Sequence, residues 1–164
     1  PALLAMAFLN PVVLLALGSG AAHAVAATAE TKPQVAARSA CRHAAAYAPL
    51  AALRPGLVLA FIDAGPFILM TSGHSVLAAP YHRNQAGNLA MLDMFLASPD
   101  DAKVRMAARG VDYVAFCPGA PGRYIYAARA PASLVATLGR DEVPSFLEKI
   151  SPDGAKLTIY RVRR

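Results

Sequence analysis

The residues best equipped for chemistry lie in one short stretch, His74 to Asn84, which reads HSVLAAPYHRN. In a chain that is 56% hydrophobic, it brings together His74, Tyr81, His82, Arg83 and Asn84. Arg83 offers a planar fork of donors that matches a carboxylate or a phosphate. His82 and Asn84 add hydrogen-bonding groups, and the Tyr81 ring can stack on a sugar or pack inward. A carboxylate, Asp63, ends the preceding apolar run LVLAFID.

Several chemistries are excluded by spacing. His74, His82 and Asp63 are ligand types that zinc accepts, but the two histidines are not placed at i, i+4 on a helix, as a metalloprotease requires. Ser72 and Ser75 flank His74, yet adjacency does not make a triad, and the G-x-S-x-G elbow is absent. Neither G-x-G-x-x-G nor a Walker loop occurs, so nothing supports a dinucleotide or nucleotide cofactor. An acid–base pair would need Asp63 with Asp93 or Asp112, at a distance the sequence does not set. No catalytic residue, metal or cofactor is therefore assigned. Asp63, Tyr81, His82, Arg83 and Asn84 stand as candidate ligand-binding residues. In the structural alternative, Arg83 pairs with Asp63 while His82 and Asn84 cap the next helix.

The elements around these residues read as α/β. LVLAFID, SVLAA and VDYVAFC are apolar runs bounded by turn residues, the pattern of strands buried on both faces. KLTIYRV alternates and reads as a fourth strand at an edge. Between them fall helical segments. Residues 34–53 form an alanine-rich helix, broken near Pro49, with Val35, Cys41, Ala45 and Leu50 inward. FILMTS is a short helix. YHRNQAGN is a loop before the helix LAMLDMFLA, whose Leu89, Leu92, Met94 or Phe95 and Leu96 recur at helical spacing. A further helix is capped by Ser98, opened by Pro99 and closed by Gly110. Pro118 to Gly122 is a loop, a short helix starts near Ser133, and DEVPSFLEKI is a short helix or turn. The expectation is a small, largely parallel sheet of about four strands with helices on both faces, preceded by a hydrophobic helix. Ligands of such sheets bind at the carboxyl ends of the strands. That rule gathers Asp63 and Tyr81 to Asn84 on one rim and sends His74 to the other.

Residues 1–24 carry no charge and are apolar enough to span a membrane. A secretory signal, suggested by Ala22-His23-Ala24, and a core helix are the lower-ranked readings. Residues 25–33 read as a linker and 34–164 as the α/β domain. The chain starts at Pro1, which fits processing or a piece of a longer protein. Lys32, Arg38 and Arg42 after the apolar segment favour a cytoplasmic tail; the cysteines point the other way. Cys41 and Cys117 are either two buried thiols or one disulfide, and the disulfide is favoured if the chain is exported to an oxidising compartment. The net charge is +6, but the basic residues are dispersed except at Arg161, Arg163 and Arg164, and no nucleic-acid signature accompanies them.

VLAFIDAGPFILMTSGHSVLAAPYHRN, ARGVDYVAFCP and the final LTIYRV together resemble the soluble C-terminal domain of polytopic bacterial membrane proteins similar to GT-C-type glycosyltransferases. The strand ending in Asp63-Ala64-Gly65 is also similar, more loosely, to the Asp-x-Gly motif of oligosaccharyltransferase catalytic subunits. There two aromatics precede the Asp and a Tyr follows it; here Phe61-Ile62 and Ala64 stand instead. The resemblance implies an extracytoplasmic, periplasmic domain, anchored to the inner membrane through residues 1–24 and continuous with a longer membrane protein. It implies a domain that is inert by itself, with a rim offered to the acceptor, glycan, the lipid-phosphate donor or the membrane domain. No nucleic-acid partner is expected, because the dispersed basic residues carry no such signature. The alternative is a free-standing exported small-molecule binding module. A small enzyme using Asp63, His82 and Arg83 is the third reading.

Overall fold

The computed structural model describes residues 40–163. The apolar segment 1–24 and the linker 25–33 lie outside them. No helix among the described residues is long and apolar enough to cross a membrane.

Among the described residues, five strands form one sheet in the order β2-β1-β3-β5-β4. They are β1 (Leu57–Ala60), β2 (Ser75–Val76), β3 (Val111–Phe116), β4 (Leu147–Lys149) and β5 (Thr158–Val162). The helices are α1 (Gly65–Thr71), α2 (Gln85–Phe95), α3 (Pro99–Arg109), α4 (Pro121–Arg129) and α5 (Leu134–Gly139). β1 pairs in parallel with β2 and β3. β5 runs antiparallel to both β3 and β4. The sheet is thus mixed and five-stranded, not a largely parallel sheet of four.

The side-chain alternation of β1 and β3 feeds two cores, as the two-residue repeat of a strand requires. Val58, Ala60, Tyr113 and Ala115 face one layer with Cys41, Tyr47, Leu50 and Ile68. Leu59, Phe61, Val114 and Phe116 face the other, with Met91, Phe95, Met106 and Leu134 from α2, α3 and α5. Both faces of the central strands are covered, as their unbroken apolar runs demand.

Several elements differ from the sequence expectation. β5 is interior, because β4 adds outside it; DEVPSFLEKI ends in this short strand and not in a helix. Pro144 accepts a turn hydrogen bond from Leu147 N–H at 2.9 Å, and Glu148 on β4 faces Arg161 at 3.5 Å across the pair. Residues 34–39 of the expected helix, Val35 among them, lie outside the described residues; Ala40 is helical, but from Cys41 to Leu53 the chain forms 3-10 turns, Ala44–Ala46 and Ala48–Ala52, and not an α-helix. His43 is extended ahead of the first turn, and Pro49 has no N–H to give. Cys41 and Leu50 are inward as expected, but Ala45 is exposed and Tyr47 is buried in its place. α2 starts at Gln85, earlier than its apolar pattern suggests, and buries Ala90, Met91, Met94 and Phe95 while leaving Leu89 outside. α4 occupies a segment in which no helix was expected. α3 agrees closely: Ser98 Oγ accepts from Asp101 N–H at 3.2 Å, and Gly110 closes the helix at φ 68°, a left-handed conformation that suits glycine.

Candidate functional site

The parallel pairing of β1 with β2 and β3 puts their carboxyl ends on one rim. Each strand there feeds a short connection. After β1, a 3-10 turn at Ile62–Ala64 leaves Asp63 exposed. Burial and the nearby Asp63 charge push the Tyr47 phenol up to about 12.

After β2, the chain is pinched between two helix starts. A Cβ on Gly65 would sit 2.4 Å from Ala78 O, and one on Gly87 would sit 2.1 Å from Leu77 O. Only glycine lets α1 and α2 approach this segment so closely. Asn84 Nδ2 donates to Leu77 O at 3.2 Å and to Asn88 Oδ1 at 3.4 Å, and Asn88 Oδ1 accepts from Ala79 N–H at 3.1 Å. Tyr81 N–H closes on Ala79 O at 2.8 Å and Asn84 N–H on Tyr81 O at 2.9 Å. The loop backbone is therefore fixed while Tyr81, His82 and Arg83 project outward, all exposed.

The structural alternative splits on these facts. Asn84 is consumed structurally. It stands at the N-cap of α2 but makes no side-chain cap bond, and instead ties the loop to Leu77 and Asn88. Among the described residues, no ion pair joins Arg83 to Asp63, and no hydrogen bond engages the His82 or Arg83 side chain. The rim thus presents Asp63, Tyr81, His82 and Arg83 to solvent.

After β3, Cys117 bonds to Cys41 with their Cα atoms 6.2 Å apart. Arg123 on α4 then donates to Pro118 O at 2.8 Å and to Gly139 O, and its guanidinium lies 4.7 Å from the Tyr124 ring centroid. Phe61 stacks on Phe95 at 4.6 Å and on Tyr126 at 6.2 Å, so the end of β1 locks α2 and α4 to the rim. A shallow cleft of about 190 Å³ runs between α4 and α5, lined by Arg123, Tyr124, Pro131 and Arg140 among others. Arg140 is held by Glu142 through two bonds of 2.9 Å, which raise the guanidinium pKa and lower that of the carboxylate. α4 and its outward Tyr124 and Ile125 were missed in the sequence. The available signal was Pro121 at the helix start followed by RYIYAAR.

His74 sits at the opposite rim and is only 4% exposed. Its Nδ1 accepts from Gly56 N–H at 3.0 Å, and its Nε2 lies 2.8 Å from Leu50 O. This pairing fits the tautomer that carries its proton on Nε2. The ring also meets Tyr113 edge-on at 5.2 Å. Close by, register shifts between Leu57 and Val58. The Asp112 carboxylate accepts Leu57 N–H at 2.9 Å there. Among the described residues, no group of three or more His, Cys, Asp or Glu is placed to hold a metal ion.

No family model matches the sequence, and no curated protein matches it either. The fold does have solved relatives in shape. One is the crystal structure of the C-terminal globular domain of oligosaccharyltransferase from Archaeoglobus fulgidus, with a TM-score of 0.54 and 16% identity. The likeness covers 82% of this chain and 99% of that one. At that identity the agreement is one of fold.

Proposed function

We propose that this chain is the extracytoplasmic soluble domain of a membrane-embedded glycosyltransferase-like protein, not catalytic by itself. Its rim of Asp63, Tyr81, His82 and Arg83 would contact the acceptor or the lipid-phosphate donor. The observation that carries this reading is the fold likeness, over 82% of this chain and 99% of the other, to a globular domain of oligosaccharyltransferase. The rim adds chemical support. A fixed loop displays a guanidinium and an imidazole that make no side-chain hydrogen bond among the described residues, which is how phosphate and carboxylate are met. Residues 1–24 supply the apolar length for an inner-membrane anchor, and the Cys41–Cys117 bond suits the periplasm.

The cleft between α4 and α5, at about 190 Å³, is smaller than the ~300–1,000 Å³ of ordinary small-molecule sites. That weighs against the free-standing binding module as the use of this cleft. The test is an NMR titration of the chain with a short-chain polyprenyl phosphate and, separately, with acceptor peptides. The reading expects resonances of Asp63 and of Tyr81 to Arg83 to move, and Arg83→Ala to remove the response to phosphate. Unmoved resonances at this rim with both ligands, up to millimolar concentration, would overturn it.

A further inference from the structure

We infer that the rim formed by the Tyr81–Arg83 loop and α4 is a docking face for an anionic lipid surface. α4 fully buries none of its residues and meets the core through the half-buried Tyr126, whereas each of the other helices buries at least two residues. Its outward side carries Tyr124 and Ile125, 51% and 53% exposed, together with Arg129. The loop after β2 adds Tyr81, 53% exposed, with Arg83 beside it. Single exposed apolar residues need no explanation; here two tyrosines and an isoleucine stand with arginines on connections that leave the same sheet end. β2 and β3 flank β1, so their carboxyl ends lie only about 10 Å apart at the usual strand spacing.

Charge selects the partner. No Asp or Glu occurs between Asp63 and Asp93, nor between Asp112 and Asp141. The loop after β2 and α4 fall within these two acid-free stretches. Asp63 is the carboxylate that the neighbouring turn contributes, and Glu142, beside the cleft that Tyr124 lines, is neutralised by its two bonds from Arg140. Among the described residues, neither Arg83 nor Arg129 makes a side-chain hydrogen bond or ion pair, so both guanidiniums are available. Tyrosines at head-group depth, a shallow aliphatic residue and free arginines are what an interfacial helix presents to anionic lipid. A protein partner with an acidic surface would leave the two tyrosines and Ile125 without a hydrocarbon boundary to enter.

The inference rests on the reading of this rim as the recognition side of a membrane-linked domain, but its test is separate. The chain contains no tryptophan. Tyr124→Trp therefore reports on α4 alone in the full chain, whatever residues 1–24 do. Val104→Trp, at an exposed position of α3 outside the rim, is the control. With vesicles containing phosphatidylglycerol, the probe at position 124 should shift its emission to the blue and be quenched by brominated lipid. The probe at position 104 should do neither. Pure phosphatidylcholine should give a much smaller response, and high salt should weaken the anionic one. Adding Arg83→Gln or Arg129→Gln to the Tyr124→Trp variant should lower the docked-to-undocked ratio, read from bromolipid quenching of the probe at position 124, about fivefold each, with the circular dichroism spectrum unchanged. An unshifted probe at position 124, equal shifts at the two positions, or quenching at position 124 unchanged by both glutamine substitutions would each overturn the proposal. A rim that binds polyprenyl phosphate in detergent, yet leaves the probe unshifted on vesicles, would keep the functional reading and sink this one.

Discussion

Reducing the Cys41–Cys117 bond should cost this domain a large share of its stability. The two cysteines are 76 residues apart in sequence. Opening a loop of that length returns about 15 cal/mol/K of chain entropy to the unfolded state, or about 4.5 kcal/mol at 25 °C. Domains are commonly stable by only ~5–15 kcal/mol. The local structure adds to the expectation. Cys41 opens the segment of 3-10 turns that covers one face of the sheet, and that segment pairs with no strand. Its side-chain anchors include Tyr47 Oη to Cys41 O at 2.9 Å and His74 to Leu50 O at 2.8 Å. Urea unfolding followed by circular dichroism, with and without a phosphine reductant, measures the difference. With a slope near ~2 kcal/mol/M, the midpoint should fall by about 2 M. The double variant Cys41→Ala/Cys117→Ala should match the reduced protein and ignore reductant. Equal midpoints for the oxidised and reduced protein, with a thiol assay confirming two free thiols, would refute the reasoning. The cross-link would then constrain a loop that the unfolded chain keeps closed by itself.

Three further outcomes are expected. His74→Ala should destabilise by about 2–5 kcal/mol, because Gly56 N–H and Leu50 C=O lose their buried partner; a loss under ~0.5 kcal/mol in urea titration would show that water replaces the ring. Gly87→Ala should destabilise by about 1–3 kcal/mol through overpacking, since its Cβ would fall 2.1 Å from Leu77 O and 2.5 Å from Asn84 Oδ1; a thermal midpoint equal to that of the parent would contradict the close approach. Tyr47 and Tyr160 are both pushed up to about 12, first by burial and then by Asp63 and Asp141 respectively. In the unfolded chain they ionise near the ordinary phenol value of 10.0, so between about pH 10 and pH 12 the unfolded state holds fewer protons and stability falls as pH rises. Unfolding midpoints measured across that range should decline together with the appearance of tyrosinate absorbance, whereas a midpoint flat to pH 12 would contradict the shifts.

The legible parts of the fold were those written in local chemistry. Ser98, Pro99 and Gly110 define the start and stop of α3 because caps and left-handed residues act within one turn. The runs around Val58 and Val114 announce strands covered on both faces because neither face could stay wet. The placement of Asp63 and Tyr81 to Arg83 on one rim, with His74 on the other, followed from strand direction alone. The departures have equally physical reasons. β4 is three residues long, too short for a two-residue repeat to show, so its place outside β5 escaped detection. α4 has no fully buried residue and meets the core through the half-buried Tyr126, a contact of one side chain that short helical spacing does not announce. The turns of residues 44–52 come from an alanine-rich stretch whose propensity favours an α-helix; tertiary packing of Tyr47 and Leu50 overrides it.

By itself, the sequence determined the α/β class, the double covering of the central strands, the helix caps and the rim on which the polar stretch falls. Each of these depends on contacts between near neighbours or on strand polarity. Only the tertiary structure decided that β5 inserts between β3 and β4, that Asn84 is spent on the loop, and that the segment after β3 coils into α4 with Tyr124 and Ile125 exposed. Those outcomes depend on which distant segments meet. They are set by packing across the sheet, which no local pattern of residue types encodes.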